Sequence, residues 1–264
     1  MLSKYLLRFG AIGYLAMLLL VPLGMVFYRA FEHGFDAAWD AITSPDAVHA
    51  LWLTVLVTLI AVPLNTVFGI ACALLIVRGH VPGKGLLNAL VDLPLALSPV
   101  VVGLSLLLLY GRGGWLGPWL DDHGIQVVFA LPGIVLATVF VSLPFVVREV
   151  VPVLREIGTE QEQAASTLGA SAVQIFRRVT LPAIRWGLVY GVVLTTARCL
   201  GEYGAVAVVS GAIQGKTETA TLRVQEEYEN LNTAGAYGIS LVLAAIAVTT
   251  LVLMSIVKPR EERL

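Results

Sequence analysis

Glu162-Gln163-Ala164-Ala165-Ser166-Thr167-Leu168-Gly169, running on to Leu181-Pro182, is a polar stretch with long apolar runs on both sides. A polar island of this kind fits a chain that leaves a membrane, forms a structured loop and returns. Local chemistry predicts that structure. Thr159 followed by Glu162 has the spacing of a capping box, in which hydroxyl and carboxylate each satisfy a first-turn N–H, so a helix is expected to start there. Gly169 is expected to stop it, since glycine reaches positive φ without steric cost. Ser171 and Gln174 repeat the box, and the helix they open carries Val173, Phe176 and Val179 with Arg177 and Arg178 between them. Pro182 lacks the N–H that continuation requires, so this second helix is expected to end there. The product is helix, sharp turn, helix.

The composition makes the bilayer the solvent. The chain is 58% hydrophobic and only 13% charged, with a mean hydropathy of +0.85, far more apolar than an average globular domain. Six apolar runs lie near residues 9 to 30, 51 to 77, 86 to 110, 127 to 147, 187 to 209 and 236 to 257. Each is close to the ~20 residues that cross the hydrocarbon core as a helix. The fold expected is all-α: a polytopic membrane protein of about six spans, with residues 1–264 as one domain and 159–182 as its helix-turn-helix loop. The first run follows Lys4 and Arg8 like a secretory signal, but it is long, and Tyr28-Arg29-Ala30-Phe31-Glu32 offers no small-residue cleavage site; it reads as an uncleaved anchor.

Sidedness follows from lysine and arginine, which favour the cytoplasmic side of short loops. With both termini inside, Lys4, Arg8, Arg78, Lys84, Arg148, Arg155, Arg177, Arg178, Arg185, Lys258, Arg260 and Arg263 are cytoplasmic, leaving Arg29, Arg112, Lys216 and Arg223 outside. The loop from Gln163 to Pro182 is then cytoplasmic. The last outer loop is acidic through Glu218, Glu226, Glu227 and Glu229, so the net charge of −1 reports sidedness rather than nucleic-acid binding.

Several features narrow the chemistry. Cys72 and Cys199 both fall inside spans and read as buried thiols rather than a disulfide framework. No His or Cys cluster has metal-ligand spacing. Gly215-Lys216-Thr217 looks like the end of a phosphate loop, but residue 210 is serine where that motif needs glycine. No catalytic residue, metal or cofactor is therefore assigned to this chain. Pro63, Pro94, Pro99, Pro132 and Pro144 predict kinked spans, as in a bundle around a pathway. Gly187 and Gly191 would let another helix approach closely, at a subunit interface or within the bundle.

Arg198 and Glu202 are the charged pair inside a span and lie four apart, on one helical face. Burial of either charge alone in hydrocarbon is costly, so they should face protein or water. Two readings stand: Arg198 lends positive potential to an anion route while Glu202 moderates it, or the two form a structural ion pair. Ser98, beside Pro99, offers a hydroxyl to the same route or to a carbonyl of its own helix. Asp92 reads as an acid near a helix N-terminus, favoured by the dipole. Outside, Phe31, Phe35 and Trp39 have helical spacing, which fits an interfacial helix or packing on the bundle.

The loop resembles the cytoplasmic loop of bacterial ABC importer permeases, whose pattern is Glu-Ala-Ala, three residues, Gly, nine residues, Ile, one residue, Leu-Pro. Gln163-Ala164-Ala165, Gly169, Val179 and Leu181-Pro182 match every spacing, with Gln for Glu and Val for Ile; Glu162 offers a carboxylate one residue earlier. Ala197-Arg198-Cys199-Leu200-Gly201-Glu202-Tyr203-Gly204-Ala205 resembles the signature of sulfate and molybdate permeases, and its continuation to Gly211 is similar to the W-type subunit of sulfate/thiosulfate importers. The runs from Asp92 to Gly103 and from Leu143 to Arg148 look like further signatures of that family.

The resemblance implies a permease in a bacterial inner membrane, working by alternating access as a heterodimer with a T-type permease. It implies an external sulfate-binding protein and separate ATPase subunits that use ATP and Mg and grip the loop. A molybdate or tungstate permease is the neighbouring alternative, and an ATP-independent secondary anion carrier coupled through Arg198 and Glu202 is the competing class. Secondary carriers often show inverted repeats, and this sequence has no clear one.

Overall fold

In hydrocarbon every backbone N–H and C=O must be satisfied within its own segment, so the long apolar runs are helical. The computed structural model describes residues 2–79 and 82–257, with side chains from residue 7 to residue 252. Lys258, Arg260 and Arg263, assigned to the cytoplasm by the charge count, lie outside the described residues, as does the side chain of Lys4.

The chain opens with α1 (Leu2–Phe31), the short α2 (Phe35–Thr43) and α3 (Pro45–Val77), the last started by Ser44, whose hydroxyl accepts the Ala47 N–H. Next come α4 (Lys84–Ala96), α5 (Pro99–Tyr110), the six-residue α6 (Gly117–Asp122) and α7 (Leu131–Glu156). The polar loop forms α8 (Glu160–Thr167), α9 (Ala172–Ile175) and a widened π turn, Phe176–Thr180. Then follow α10 (Leu181–Leu200), α11 (Gly204–Ser210), α12 (Ala220–Glu229) and α13 (Thr233–Val257). Among the described residues five helices are long and apolar enough to cross a membrane, and α4 with α5 makes a sixth as a bent pair.

Two of the six expected spans are interrupted. The run from 86 to 110 is two helices, with the chain bent by 110° between them. Pro99 is responsible in part, since a residue before proline is pushed out of the helical region and Ser98 is extended at φ −64°, ψ 135°. The run from 187 to 209 ends as a helix at Leu200, and α11 resumes at Gly204. Pro99 and Pro132 stand in the first turns of α5 and α7, where the missing N–H costs nothing, and kink no helix; Pro63, Pro94 and Pro144 lie inside helices.

α7 is the centre. Its Val146, Val147, Val150, Val151 and Leu154 pack against Cys72, Ala73 and Ile76 of α3, Val91 of α4 and Ile184 of α10. Gly187 and Gly191 are the contact of α10 with α7: a Cβ on Gly187 would lie 2.9 Å from the Glu149 carbonyl oxygen, and one on Gly191 would lie 2.8 Å from Val146 Cα. The pair thus serves packing within the bundle. Cys72 and Cys199 are buried and free, as their positions suggested. Phe27, Phe31, Phe35 and Trp39 form a row of ring contacts along the end of α1 and α2, tilted between Phe27 and Phe31 and stacked from Phe31 to Trp39.

Candidate coupling loop and translocation site

The polar loop between α7 and α10 forms the expected helix, turn, helix, but its first cap is not the one the spacing suggested. Thr159 is at φ −115°, ψ −1° and makes no side-chain cap bond; its hydroxyl accepts the Gln163 side-chain amide at 3.0 Å instead. Glu162 is drawn away by stronger partners. Its Oε2 accepts the Arg78 Nε–H at 3.0 Å and its Oε1 accepts the Thr180 hydroxyl at 2.8 Å. A carboxylate so engaged cannot reach back to Thr159. The second box is complete, with the Ser171 hydroxyl accepting the Gln174 N–H and the Gln174 side chain accepting the Ser171 N–H.

Between the helices Gly169 has φ +83°, the left-handed conformation that stops α8. Nothing lies within 4 Å of where its Cβ would be, so the backbone alone demands glycine. Pro182 does not end the second helix. The chain widens into the π turn, with the Leu181 N–H reaching the Phe176 carbonyl, and Pro182 falls in the first turn of α10. Loop and span are therefore continuous from Ser171 to Leu200. α8 and α9 bury no residue, and Leu168 and Val173, either side of Gly169, are exposed at 88% and 65%.

The second region is where the two interrupted spans meet. α5 lies against α11 so closely that a Cβ on Gly103 would stand 2.7 Å from the Ala205 carbonyl oxygen, and Gly204 abuts Pro99. The break at Ser98 is thereby brought next to the break at Gly201–Tyr203. Arg198 closes the last turn of α10, where a cation is favoured by the helix dipole. Glu202 lies beyond that helix, not on it, and its carboxylate meets Arg198 Nη2 at 2.5 Å. The same carboxylate accepts the Ala205 N–H at 2.9 Å, and its backbone carbonyl accepts the Thr221 hydroxyl at 2.7 Å. Glu202 is buried while the Arg198 side chain is 27% exposed. Ser98 begins α5 without a side-chain cap bond.

Asp92 is not a helix-start acid. It stands in the third turn of α4 and takes a two-pronged contact from the Arg148 guanidinium, which fastens α4 to α7. Both residues lie in stretches that the sequence singled out, but their pairing across 56 positions has no local signal. Nor does any local signal mark the pairing of Glu162 with Arg78 and with Thr180. A cavity of about 800 Å³ lies elsewhere, between the end of α5, α6 and the segment from Ile125 to Phe129, and none of Ser98, Arg198 or Glu202 lines it. A far smaller one beside Glu202 is lined by Thr54, Thr138, Cys199 and Thr219. Among the described residues no group of three or more His, Cys, Asp or Glu side chains could hold a metal ion.

Multiple spans, two broken helices meeting inside the bundle and a polar, exposed helix-turn-helix define a class, the helical transport permeases. The chain belongs to the family of binding-protein-dependent transport system inner membrane components, whose model matches residues 65–263. It is 53% identical over 257 residues, 97% of this chain and 93% of that protein, to the sulfate transport system permease protein CysW of Synechocystis sp.. It is 39% identical over 243 residues, 92% of this chain and 87% of that protein, to the sulfate transport system permease protein CysT of Salmonella typhimurium. Among solved structures it resembles a bacterial alginate ABC transporter in complex with an alginate pentasaccharide-bound periplasmic protein, with a TM-score of 0.77 at 18% identity over 99% of this chain and 95% of that one. That last likeness shows the fold.

Proposed function

We propose that this chain is the membrane-spanning permease subunit of an ATP-driven importer for sulfate or thiosulfate, working by alternating access. The observation that carries the reading is continuity: α9, the π turn and α10 run without interruption from the exposed loop to the Arg198–Glu202 break. A push on the loop is thus delivered to the helix that ends at the charged pair. The relatives named as sulfate permeases, matched over nearly the whole chain, support the substrate class.

Each part has a role in this reading. Gln163, Ala164, Ala165, Gly169, Leu181 and Pro182 shape the handle gripped by ATPase subunits, which bind the ATP and Mg; this chain contributes no nucleotide chemistry. The basic residues at the loop end set that face, and both termini, in the cytoplasm. Arg198 supplies donors and positive potential to a tetrahedral dianion, Glu202 cancels most of the net charge so that the anion is released, and Ser98 adds a hydroxyl. A guanidinium 27% exposed on the single chain should not face lipid, so its open side fits a second, T-type permease completing the path. An external binding protein delivers the anion to the outer face.

The test is uptake of labelled sulfate by proteoliposomes holding this chain, its candidate permease partner, ATPase and binding protein. Uptake should need ATP and should vanish in Gly169→Pro, because proline cannot adopt φ +83°. Uptake by this chain alone without ATP would make it a secondary carrier, and preference for molybdate would keep the mechanism but change the substrate.

A further inference from the structure

We infer that Arg78 and Glu162 form the joint through which the inner loop moves the spans, so that Glu162 acts inside this chain rather than as a contact for the ATPase. The inference deepens the importer reading above and rests on it.

A handle transmits force only if it is stiffly attached, and α8 has no apolar anchor, since none of its residues is buried. Its attachment is polar and centred on one side chain. Glu162, 19% exposed, places one carboxylate oxygen on Arg78 and the other on Thr180, a residue only 4% exposed at the end of the π turn. Arg78, 18% exposed, uses its Nη2 arm on the Gly158 carbonyl, in the turn that leads into α8. Two side chains therefore tie together the end of α3, the α7–α8 turn, α8 itself and the entrance to α10. The planar fork of arginine suits this task, because it fixes two acceptors in set directions where a lysine ammonium would fix one.

The orientation of the loop agrees. Glu162 faces the bundle, whereas Leu168 and Val173 present the exposed apolar surface that a partner groove would cover. Gln163, which takes the family's glutamate position, has only a surface bond to Thr159. Thr180 ends the widened turn, and such turns are places where a helix can change register. Displacement of α8 therefore pulls directly on α3 and α10, both packed on α7, and α10 carries Arg198 at its far end. Arg78 and Glu162 are positioning residues in this scheme.

The experiment uses the full reconstituted complex and measures sulfate uptake and ATP hydrolysis together, with Glu162→Gln, Arg78→Lys and the charge swap Arg78→Glu with Glu162→Arg. The singles should lower sulfate moved per ATP by roughly tenfold, while ATPase subunits still co-purify and hydrolysis continues; the swap should recover the ratio. Thermal unfolding of each purified complex separates this loss from misfolding, and the swap keeps the test decisive if one single variant fails to fold. Loss of the ATPase subunits from Glu162→Gln but not from Arg78→Lys would overturn the inference, as would an unchanged ratio in both singles. Failure of the unmodified complex to couple uptake to ATP would instead bring down the importer reading, and the joint with it.

Discussion

The loop around Gly169, inner in the topology proposed above, and the segment from Gly211 to Asn232, outer in it, are both polar and both partly helical, yet they are held in opposite ways. The inner α8 and α9 bury nothing. The outer segment buries Thr217, Glu218, Thr219, Ala220, Leu222 and Glu227. Its Ala220 N–H donates to the Thr54 hydroxyl of α3 at 2.8 Å, and Ala220 packs with Ala47 and Ile239. Arg223, 13% exposed, stands 3.0 Å from Glu226, 2.5 Å from Glu227 and 3.8 Å from Glu218. Polarity alone does not decide mobility. Buried contact does, so the outer segment is a fixed cap and the inner one a handle hung on a joint.

The largest effect should come from removing Arg223, the cation that the cap's carboxylates share. Arg223→Ala leaves the buried Glu227 without its counter-charge, and breaking a buried pair in this way typically costs about 3–5 kcal/mol. Thermal unfolding of the purified protein should show a clear fall in midpoint. A loss of less than ~1 kcal/mol, the size of an exposed pair, would erase the contrast between the two segments.

A smaller and pH-dependent effect belongs to Glu218. Burial first, then the neighbouring Glu226 and Asp46 carboxylates, push its carboxyl up to about 8 against the pull of Arg223. A carboxyl raised in the folded state contributes stability that is fully present below its ordinary value near 4.5 and lost as pH rises towards 8. Glu226 is shifted the other way, chiefly by its hydrogen bond to Glu218, so its contribution is lost only as pH falls below the ordinary carboxylate range. Glu218→Gln should therefore flatten the stability profile between about pH 4.5 and 8 while leaving the acid limb in place. An unchanged slope across that window would show that Glu218 ionises freely and that the cap is wetter than its burial implies.

What the sequence disclosed about these two regions differs for the same physical reason. The inner loop is governed by neighbours in the chain: Ser171 with Gln174, and a glycine where φ must be positive. Those were legible. Contacts from afar defeated local reading at Glu162, whose Arg78 partner is 84 positions away, and at Asp92. The six apolar runs located the spans, but hydropathy runs straight through Leu97–Ser98 and through Gly201–Tyr203, so the breaks that build the candidate path were hidden. Arg198 and Glu202 were singled out correctly as partners, although on the expectation of one continuous helix. The outer segment announced only its acidity, because its structure rests on Thr54 of α3, Ile239 of α13 and the Glu202 carbonyl.

Returning to the handle, Gly169→Val should cost about 1–2 kcal/mol locally, from left-handed backbone strain, with no steric clash, since the space beside Gly169 is open. Hydrogen exchange should rise from Thr167 to Gln174 while the global unfolding midpoint stays put. A midpoint that falls with the exchange would mean that the loop is part of the cooperative core.

Ser171→Ala is the gentlest probe and the sharpest on this point. It deletes the hydroxyl that accepts the Gln174 N–H at 3.4 Å and leaves the reciprocal bond from Gln174 intact, so about 0.5–1 kcal/mol is at stake. Because α9 continues through the π turn into α10, the loss can stay at the first turn or spread along the helix. Faster exchange confined to the amides of residues 172–175 would show that the π turn isolates the handle from the span. Faster exchange reaching Ile184 would show that the two open as one, and the joint at Glu162 would then be bracing a single continuous lever.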